Sequence, residues 1–163
     1  MGQVAVGVLP FHSFSPDPAD EHLADALTDL VIACLGGTPG LMVNSRTSSM
    51  CFKHSHLRLR NIAEKLHAGQ IIEGSLLQLG GQVQIVAQLI DSKRDAHLWS
   101  HTYLRETRNL LFQMNDIARS IAHATCVALS AVEPPGFTRG APFERGTNRA
   151  MCTACLAEVG MPL

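Results

Sequence analysis

A short segment rich in hydroxyl groups, Arg46-Thr47-Ser48-Ser49, offers the residue types best suited to hold an anion. A guanidinium and several hydroxyl donors can together bind a phosphate or a carboxylate. The segment follows a predicted strand, and α/β proteins often place ligands at such junctions. It has neither a glycine-rich cradle nor a Walker lysine, so it is not a nucleotide motif. We treat these four residues as a candidate binding site for a small ligand or anion.

The same segment also has a purely structural explanation. Serine and threonine hydroxyls often cap backbone groups, and Arg46 would then pair with an acid such as Glu73 or Asp91. These two acids, like Asp25 and Asp29, are expected to make structural hydrogen bonds. The sequence leaves both explanations of the segment open.

The remaining reactive residues form no recognisable catalytic or metal site. His54-x-His56 supplies two imidazoles, whereas a zinc site needs three or four ligands. Cys152-x-x-Cys155 lacks the second ligand pair of a zinc ribbon, and no G-x-S-x-G nucleophile elbow is present. We predict no catalytic residue, no metal and no cofactor. A local basic region is expected to be a solvated face, with an acidic partner as the alternative; it comprises Lys53, His54, His56, Arg58, Arg60 and Lys65.

Length and composition describe a globular domain with a tail. The chain has 163 residues, of which 46% are hydrophobic and 17% charged, with a net charge of −1. This balance gives no basis for binding nucleic acid or an anionic membrane. The start of the chain lacks the basic region of a signal peptide, and the five cysteines are odd in number and unevenly spaced. We therefore expect a cytoplasmic protein.

The hydrophobic periodicity predicts the order β-α-β-α-β-β-β-α. Apolar stripes at helical spacing indicate three helices, and alternating or continuous apolar runs indicate strands. Trp99 and Tyr103 lie four residues apart on one strand and are expected to pack in the core. The predicted strands include 4–11, 41–45 and 97–103, and the predicted helices are 19–35, 56–67 and 109–129.

A hairpin around Gly80-Gly81 determines the layering of the fold. We favour a three-residue loop of Gly80, Gly81 and Gln82, because it pairs Leu79 with Val83 and so keeps apolar side chains on one face. A two-residue turn would pair Leu79 with Gln82 instead. Beyond the turn, glutamines alternate with apolar residues, which indicates a sheet with one wetted face. We predict an α/β (α+β) two-layer sandwich: a mixed sheet of about five strands with helices on one face.

The composition changes after Glu133, where proline, glycine and arginine appear with little periodicity. We predict a domain over residues 1–131 and a linker over residues 132–163.

Six segments in order resemble the TolB amino-terminal-like domain. They lie between residues 8 and 100 and read VLPF, LADALTD, PGLMVNSRTSS, IIEGSL, VAQLID and HLWS. The match as a whole covers residues 4–129. That family is found beside bacterial adenylate cyclase domains, CadC-type transcriptional activators and tetratricopeptide repeats.

The resemblance implies an accessory module of a bacterial signal-transduction protein that makes protein contacts and has no chemistry of its own. Its partners would be neighbouring output or repeat domains, or a second copy in a homodimer. Residues 144–156 are similar to the start of a tetratricopeptide array. Because the related module of membrane-bound activators lies outside the cytoplasm, the resemblance makes the periplasm the alternative location.

Overall fold

A computed structural model describes residues 2–131 of the chain. Within them an open, mixed six-stranded sheet has the strand order β3-β1-β4-β5-β6, and β2 also pairs with β4. The elements are β1 (Val4–Val8), β2 (His12–Ser13), α1 (Pro18–Gly36), β3 (Leu41–Val43), α2 (Arg46–Met50), α3 (Leu59–Leu66), β4 (Gln70–Leu79), β5 (Gln82–Asp91), β6 (Ala96–Glu106) and α4 (Leu110–Ala131).

The main hydrophobic core confirms the predicted two-layer α+β fold. The long helices α1 and α4 pack on one face of the sheet, and Tyr103 and the partly buried Trp99 lie in this core as predicted. We call the opposite face the outer face. The short helix α3 lies there and forms a second, smaller core with Leu9 and Ile71, so the prediction that all the helices share one face is wrong for α3. Large side chains of the main core include Val6, Val8, Leu27, Leu35, Ile72, Leu76, Ile85, Leu89, Met114, Ile117 and Ile121.

The predicted three-residue loop of the β4–β5 hairpin is wrong. Leu79 pairs with Gln82 and Leu77 with Gln84, so the turn contains only Gly80 and Gly81. Both glycines have positive φ, 57° and 78°, as a type I′ turn requires, and the twist of that turn matches the twist of the strands. Turn geometry therefore outweighs the gain from burying two leucines, which instead lie beside the glutamines on the outer face.

The predicted strand over residues 4–11 is interrupted at Pro10. Val8 is aligned with Ile72 and His12 with Ser75, so four residues of this segment match three of β4. Proline has no N–H to donate to a ladder, which favours such a break. Next to it, the backbone N–H of Phe11 donates to the Thr28 hydroxyl of α1 at 2.9 Å. The extra residue turns His12 and Phe14 toward the outer face.

Gly74 makes room for the buried ring of Phe11. A Cβ built on Gly74 would collide with the Phe11 ring and with the carbonyl oxygen of Val86. Phe11 is itself 2% exposed, so neither neighbour can move aside without disturbing the core or the β4–β5 ladder. The centre of β4 therefore depends on a residue without a side chain.

We predict that Gly74→Ala lowers the free energy of unfolding by about 1–3 kcal/mol, the usual cost of overpacking a core. Urea denaturation followed by circular dichroism measures this loss. Gly36→Ala is the control, because no atom lies within 4 Å of a Cβ built there. Equal stability of Gly74→Ala and the parent chain would contradict the packing described here.

The other differences from the prediction are small. Helix α1 begins with Pro18, and the Asp17 side chain caps it by accepting a hydrogen bond from the backbone N–H of Ala19. Strand β2 and helix α2 are additional elements.

In the described part of the chain, no helix is both long and apolar enough to cross a membrane. The predicted linker, the segment 144–156 and the Cys152–Cys155 pair lie outside the described residues.

Candidate functional site

The predicted 46–49 ligand segment forms the short helix α2 rather than a loop. The Ser45 hydroxyl caps it by accepting from the Ser48 backbone N–H at 3.2 Å. The buried Ser49 donates its hydroxyl hydrogen to the Val8 carbonyl oxygen at 2.7 Å. Asn44 accepts from the Val8 N–H, also at 2.7 Å. Strand β3 ends at Val43 and therefore does not pair with Val8. The side chains of Asn44 and Ser49 bond to the N–H and carbonyl groups of Val8 instead.

The other members of the segment are exposed. Arg46 Nε lies 3.8 Å from Asp29 Oδ1, so the acid that faces it is neither Glu73 nor Asp91. Thr47 and Ser48 are also exposed at the surface. Binding of an anion by Arg46, Thr47, Ser48 and Ser49 stays a prediction, but Ser49 already has a structural role.

A cleft on the outer face brings together residues that the sequence did not connect. We call it the outer cleft; its volume is about 470 Å³. Its floor is formed by β4 and β5, and its walls by the segment around β2 and by the chain between α2 and α3. The floor contributes Glu73, Ser75, Val86 and Gln88, and the walls include His12, Phe14, Phe52, Lys53, His54, Leu57 and Leu59.

The floor of the outer cleft is polar at its centre. Gln88 Nε2 donates to Glu73 Oε1 at 2.7 Å across the β4–β5 pair. Glu73 is half-buried, and within residues 2–131 it makes no ion pair. The register places Ser75 on the same face, two residues along β4. The cleft therefore presents a carboxylate, a hydroxyl and an amide side by side.

One wall of the outer cleft is fixed by a charge cluster. Lys53 Nζ contacts both carboxylate oxygens of Asp25, at 2.8 and 2.7 Å, and lies 3.4 Å from Glu21. His54 Nε2 lies 3.1 Å from the same Glu21. Partial burial alone would lower the pKa of Lys53, but the hydrogen bond and charge of Asp25, with the charge of Glu21, outweigh it and raise that pKa.

Much of the predicted basic region is paired with acids. Lys53 and His54 face acidic residues of α1 as described, and Arg60 Nε lies 3.5 Å from Glu64 on the exposed side of α3. Among residues 2–131, no three side chains of His, Cys, Asp or Glu are grouped so that they could hold a metal ion.

An exposed apolar surface lies next to the outer cleft. Leu77 and Leu104 flank Gln84 in one row across β4, β5 and β6. Phe14 continues this row, because its backbone N–H donates to the carbonyl of Leu76. Leu79 lies in the next row toward the turn. These side chains are exposed by 38% (Leu77), 55% (Leu104), 65% (Phe14) and 76% (Leu79). We call these four residues the outer patch.

Sequence reasoning missed both the outer cleft and the outer patch. The patch was hidden by the wrong hairpin register, which turned the leucines inward. The Gly80-Gly81 dipeptide was the signal that could have revealed it, since it strongly favours a two-residue turn. Glu73 was interpreted as structural, and its hydrogen bond to Gln88 supports that only for one of its two oxygens.

The chain is similar in sequence to one curated protein. No family model matches the chain. Over 129 residues, 79% of its length, the chain is 32% identical to a protein of Rhizobium meliloti (strain 1021) named "Putative adenylate cyclase 3". The chain spans 22% of the length of that relative.

Solved structures share the fold at low identity. TolB from Acinetobacter baumannii matches with a TM-score of 0.55 and 12% identity, over 82% of this chain and 30% of TolB. A lipoprotein from Neisseria meningitidis matches with a TM-score of 0.54 and 16% identity, over 73% of this chain and 98% of that protein. The fold is that of a TolB-like α+β domain, which confirms the resemblance at the level of the fold. The association with CadC-type activators and tetratricopeptide repeats stays a prediction.

We predict that Lys53→Met lowers the free energy of unfolding by about 1–2 kcal/mol at pH 7, because Asp25 loses its charged hydrogen-bond partner. Since the pKa of Lys53 is raised in the folded state, its contribution is complete below the pKa of an unfolded lysine, about 10.4. The contribution is lost as the pH rises through the folded pKa. The difference between the two proteins should therefore shrink at strongly alkaline pH.

Urea denaturation at a series of pH values from 7 upward measures this difference. Arg60→Met is the control, because its ion pair with Glu64 is exposed on both sides and such pairs contribute little. A stability difference that persists or grows at alkaline pH would contradict the assigned role of Lys53.

Proposed function

We propose that this chain is a non-catalytic accessory domain that makes protein contacts within or beside a larger adenylate cyclase-type signalling protein. The outer patch supports this proposal most directly. Four large apolar side chains remain exposed together on the outer face, outside its second core. Such surfaces usually mark interaction sites. The relationship to the Rhizobium protein supports the signalling context.

A separate catalytic activity is not part of this proposal. The chain spans only 22% of the Rhizobium relative, so any cyclase chemistry belongs in our proposal to the remainder of such a protein. Several candidate side chains already have structural contacts: Ser45 caps α2, Ser49 bonds to the Val8 carbonyl, and Lys53 and His54 face acids of α1. Coupling to a transcriptional regulator or to a tetratricopeptide array are further associations that we propose on the family resemblance alone.

A second copy of the chain is the alternative partner. Strand β6 is 11 residues long and lies at the edge of the sheet, where unpaired backbone groups can add another strand. The net charge of −1 favours protein partners over nucleic acid or anionic membrane. We place the domain in the cytoplasm, with the periplasm as the alternative.

The contact function is tested by size-exclusion chromatography with light scattering. The 163-residue chain is mixed with the Rhizobium relative from which the matching 129 residues have been removed. We expect a complex with that protein or a dimer of the chain, and we expect Leu77→Ser with Leu104→Ser to weaken it at least tenfold. Leu111→Ser is the control, because Leu111 is also an exposed leucine but lies on α4, away from the outer patch. A chain that stays monomeric and binds nothing would sink the proposal.

The absence of catalysis has its own test. The purified chain, incubated with ATP and Mg²⁺ or Mn²⁺, is expected to form no cyclic AMP above a buffer control. Cyclic AMP produced in proportion to the concentration of the chain would show that the domain is itself an enzyme.

A second candidate function is the sensing of a small anion. It is supported by the residue types of one segment, whose guanidinium and hydroxyl groups can bind an anion: Arg46, Thr47, Ser48 and Ser49. The exposure of Arg46 leaves its guanidinium accessible, but the buried hydrogen bond of Ser49 to Val8 leaves fewer groups for a ligand. We therefore rank it below the contact function.

A further inference from the structure

Among residues 2–131, Glu73 is a carboxylate without a charged partner. Its carboxylate is half-buried on the floor of the outer cleft, where partial loss of water makes an unpaired charge unfavourable. It receives one neutral hydrogen bond, from Gln88, on one of its two oxygens. Within the described residues no lysine, arginine or histidine lies within ion-pair distance of it. Such a carboxylate is a ready counter-ion for a cation from outside the domain.

The groups around Glu73 also accept hydrogen bonds. Gln88 turns its amide nitrogen toward Glu73, which leaves its carbonyl oxygen as an acceptor. Ser75 lies on the same face, and its hydroxyl has no hydrogen-bond partner among residues 2–131. Two or three acceptors in one place suit a guanidinium, whose donors form a planar fork, and they also suit an ammonium. An anion would meet the negative charge of Glu73.

The lysine that lines the outer cleft does not neutralise Glu73. Lys53 contacts Asp25 at 2.7 Å and Glu21 at 3.4 Å, so its charge is already matched. The lining contains two carboxylates, Glu21 and Glu73, and the single ammonium of Lys53. Among the carboxylates and the ammonium group of this lining, Glu73 is thus the charge that is left unmatched.

Part of the wall of the outer cleft is apolar and leads to the outer patch. Phe52 and Leu59 form one wall, and Phe14 belongs both to the cleft and to the patch. Arginine and lysine bury their aliphatic stems along such surfaces and keep the charged end at a polar group. A small free cation would leave the leucines of the patch uncovered, whereas a polypeptide segment would cover both.

We propose that the outer cleft binds an arginine or lysine side chain of a partner protein segment, with Glu73 as its counter-ion and the outer patch covered by apolar residues that flank it. This inference rests on the proposed contact function and names the chemistry of the partner. Arginine is favoured over lysine, because the planar fork can reach Glu73 and a second acceptor at once.

The first test is selection of a phage-displayed library of random dodecapeptides on the full 163-residue chain. We expect the enriched peptides to contain arginine or lysine next to large apolar residues. We also expect this enrichment to disappear on Glu73→Gln, which keeps the shape and can still bond to Gln88. Enriched peptides without a basic residue, or no enriched peptide at all, would overturn the proposal.

The second test is a double-mutant cycle on one enriched arginine peptide. Its affinity is measured by fluorescence anisotropy, beside the same peptide with citrulline in place of arginine. Glu73→Gln and the citrulline peptide should each weaken binding about tenfold or more, and combining them should cause little further loss. Ser75→Ala should weaken it by a smaller factor. Glu64→Gln, on the exposed side of α3, is the control and should bind as the parent chain does.

The two proposals fail in different ways. Equal affinity of Glu73→Gln and the parent chain for the arginine peptide overturns the role of Glu73, while a complex in the light-scattering experiment still supports the contact function. The effects of Glu73→Gln and of the citrulline peptide could also be independent, so that the combination weakens binding by the product of the two factors. That result too would overturn the direct pairing of Glu73 with the arginine. Circular dichroism of Glu73→Gln shows that the variant is folded, so that a loss of binding is not a loss of structure.

Discussion

The close packing of the Phe11 ring against Gly74 is the constraint on which the rest of the domain depends. The ring fills the space that any side chain on Gly74 would need, and the Phe11 backbone bonds to Thr28 of α1. One residue therefore holds β4, α1 and the amino-terminal segment together. Because the segment gains an extra residue beside Pro10 before it pairs again with β4, His12 and Phe14 emerge on the opposite side of the sheet. The packing of Phe11 on the helical face thus positions His12 and Phe14, which form a wall of the outer cleft on the other face.

Charge and apolar exposure then distinguish the outer face from the rest of the described surface. Lys53 ties α1 to the segment between α2 and α3 through Asp25 and Glu21, so the wall of the cleft is fixed and its own charge is matched. Glu73 has no such partner in the described part of the chain. Next to it, four large apolar side chains stay in water. An unmatched half-buried charge costs stability in the isolated domain, and burial of the apolar patch would be favourable. In our proposal one partner pairs with the charge and covers the patch.

The sequence predicted the layers of the fold much better than its contact surface. Helical stripes and the buried alternation of Val83, Ile85 and Leu89 indicated the core, because burial is periodic along the chain. The hairpin register was wrong because a type I′ turn at Gly80-Gly81 outweighed the burial of two leucines. The hydroxyl at Ser49 was correctly considered as a structural donor, although its acceptor, Val8, could not be named. The outer cleft was not predictable, since Glu73, Phe52 and Phe14 come together only through long-range packing.

Hydrogen–deuterium exchange mapped along the chain tests the central claim, that the outer face is where a partner binds. It compares the 163-residue chain alone with the chain in the complex isolated by size exclusion. We predict slower exchange at the β4–β5 hairpin, β2 and the segment between α2 and α3, with α1 and α4 unchanged. Protection confined to α1 and α4, with the outer face exchanging as in the free chain, would contradict it.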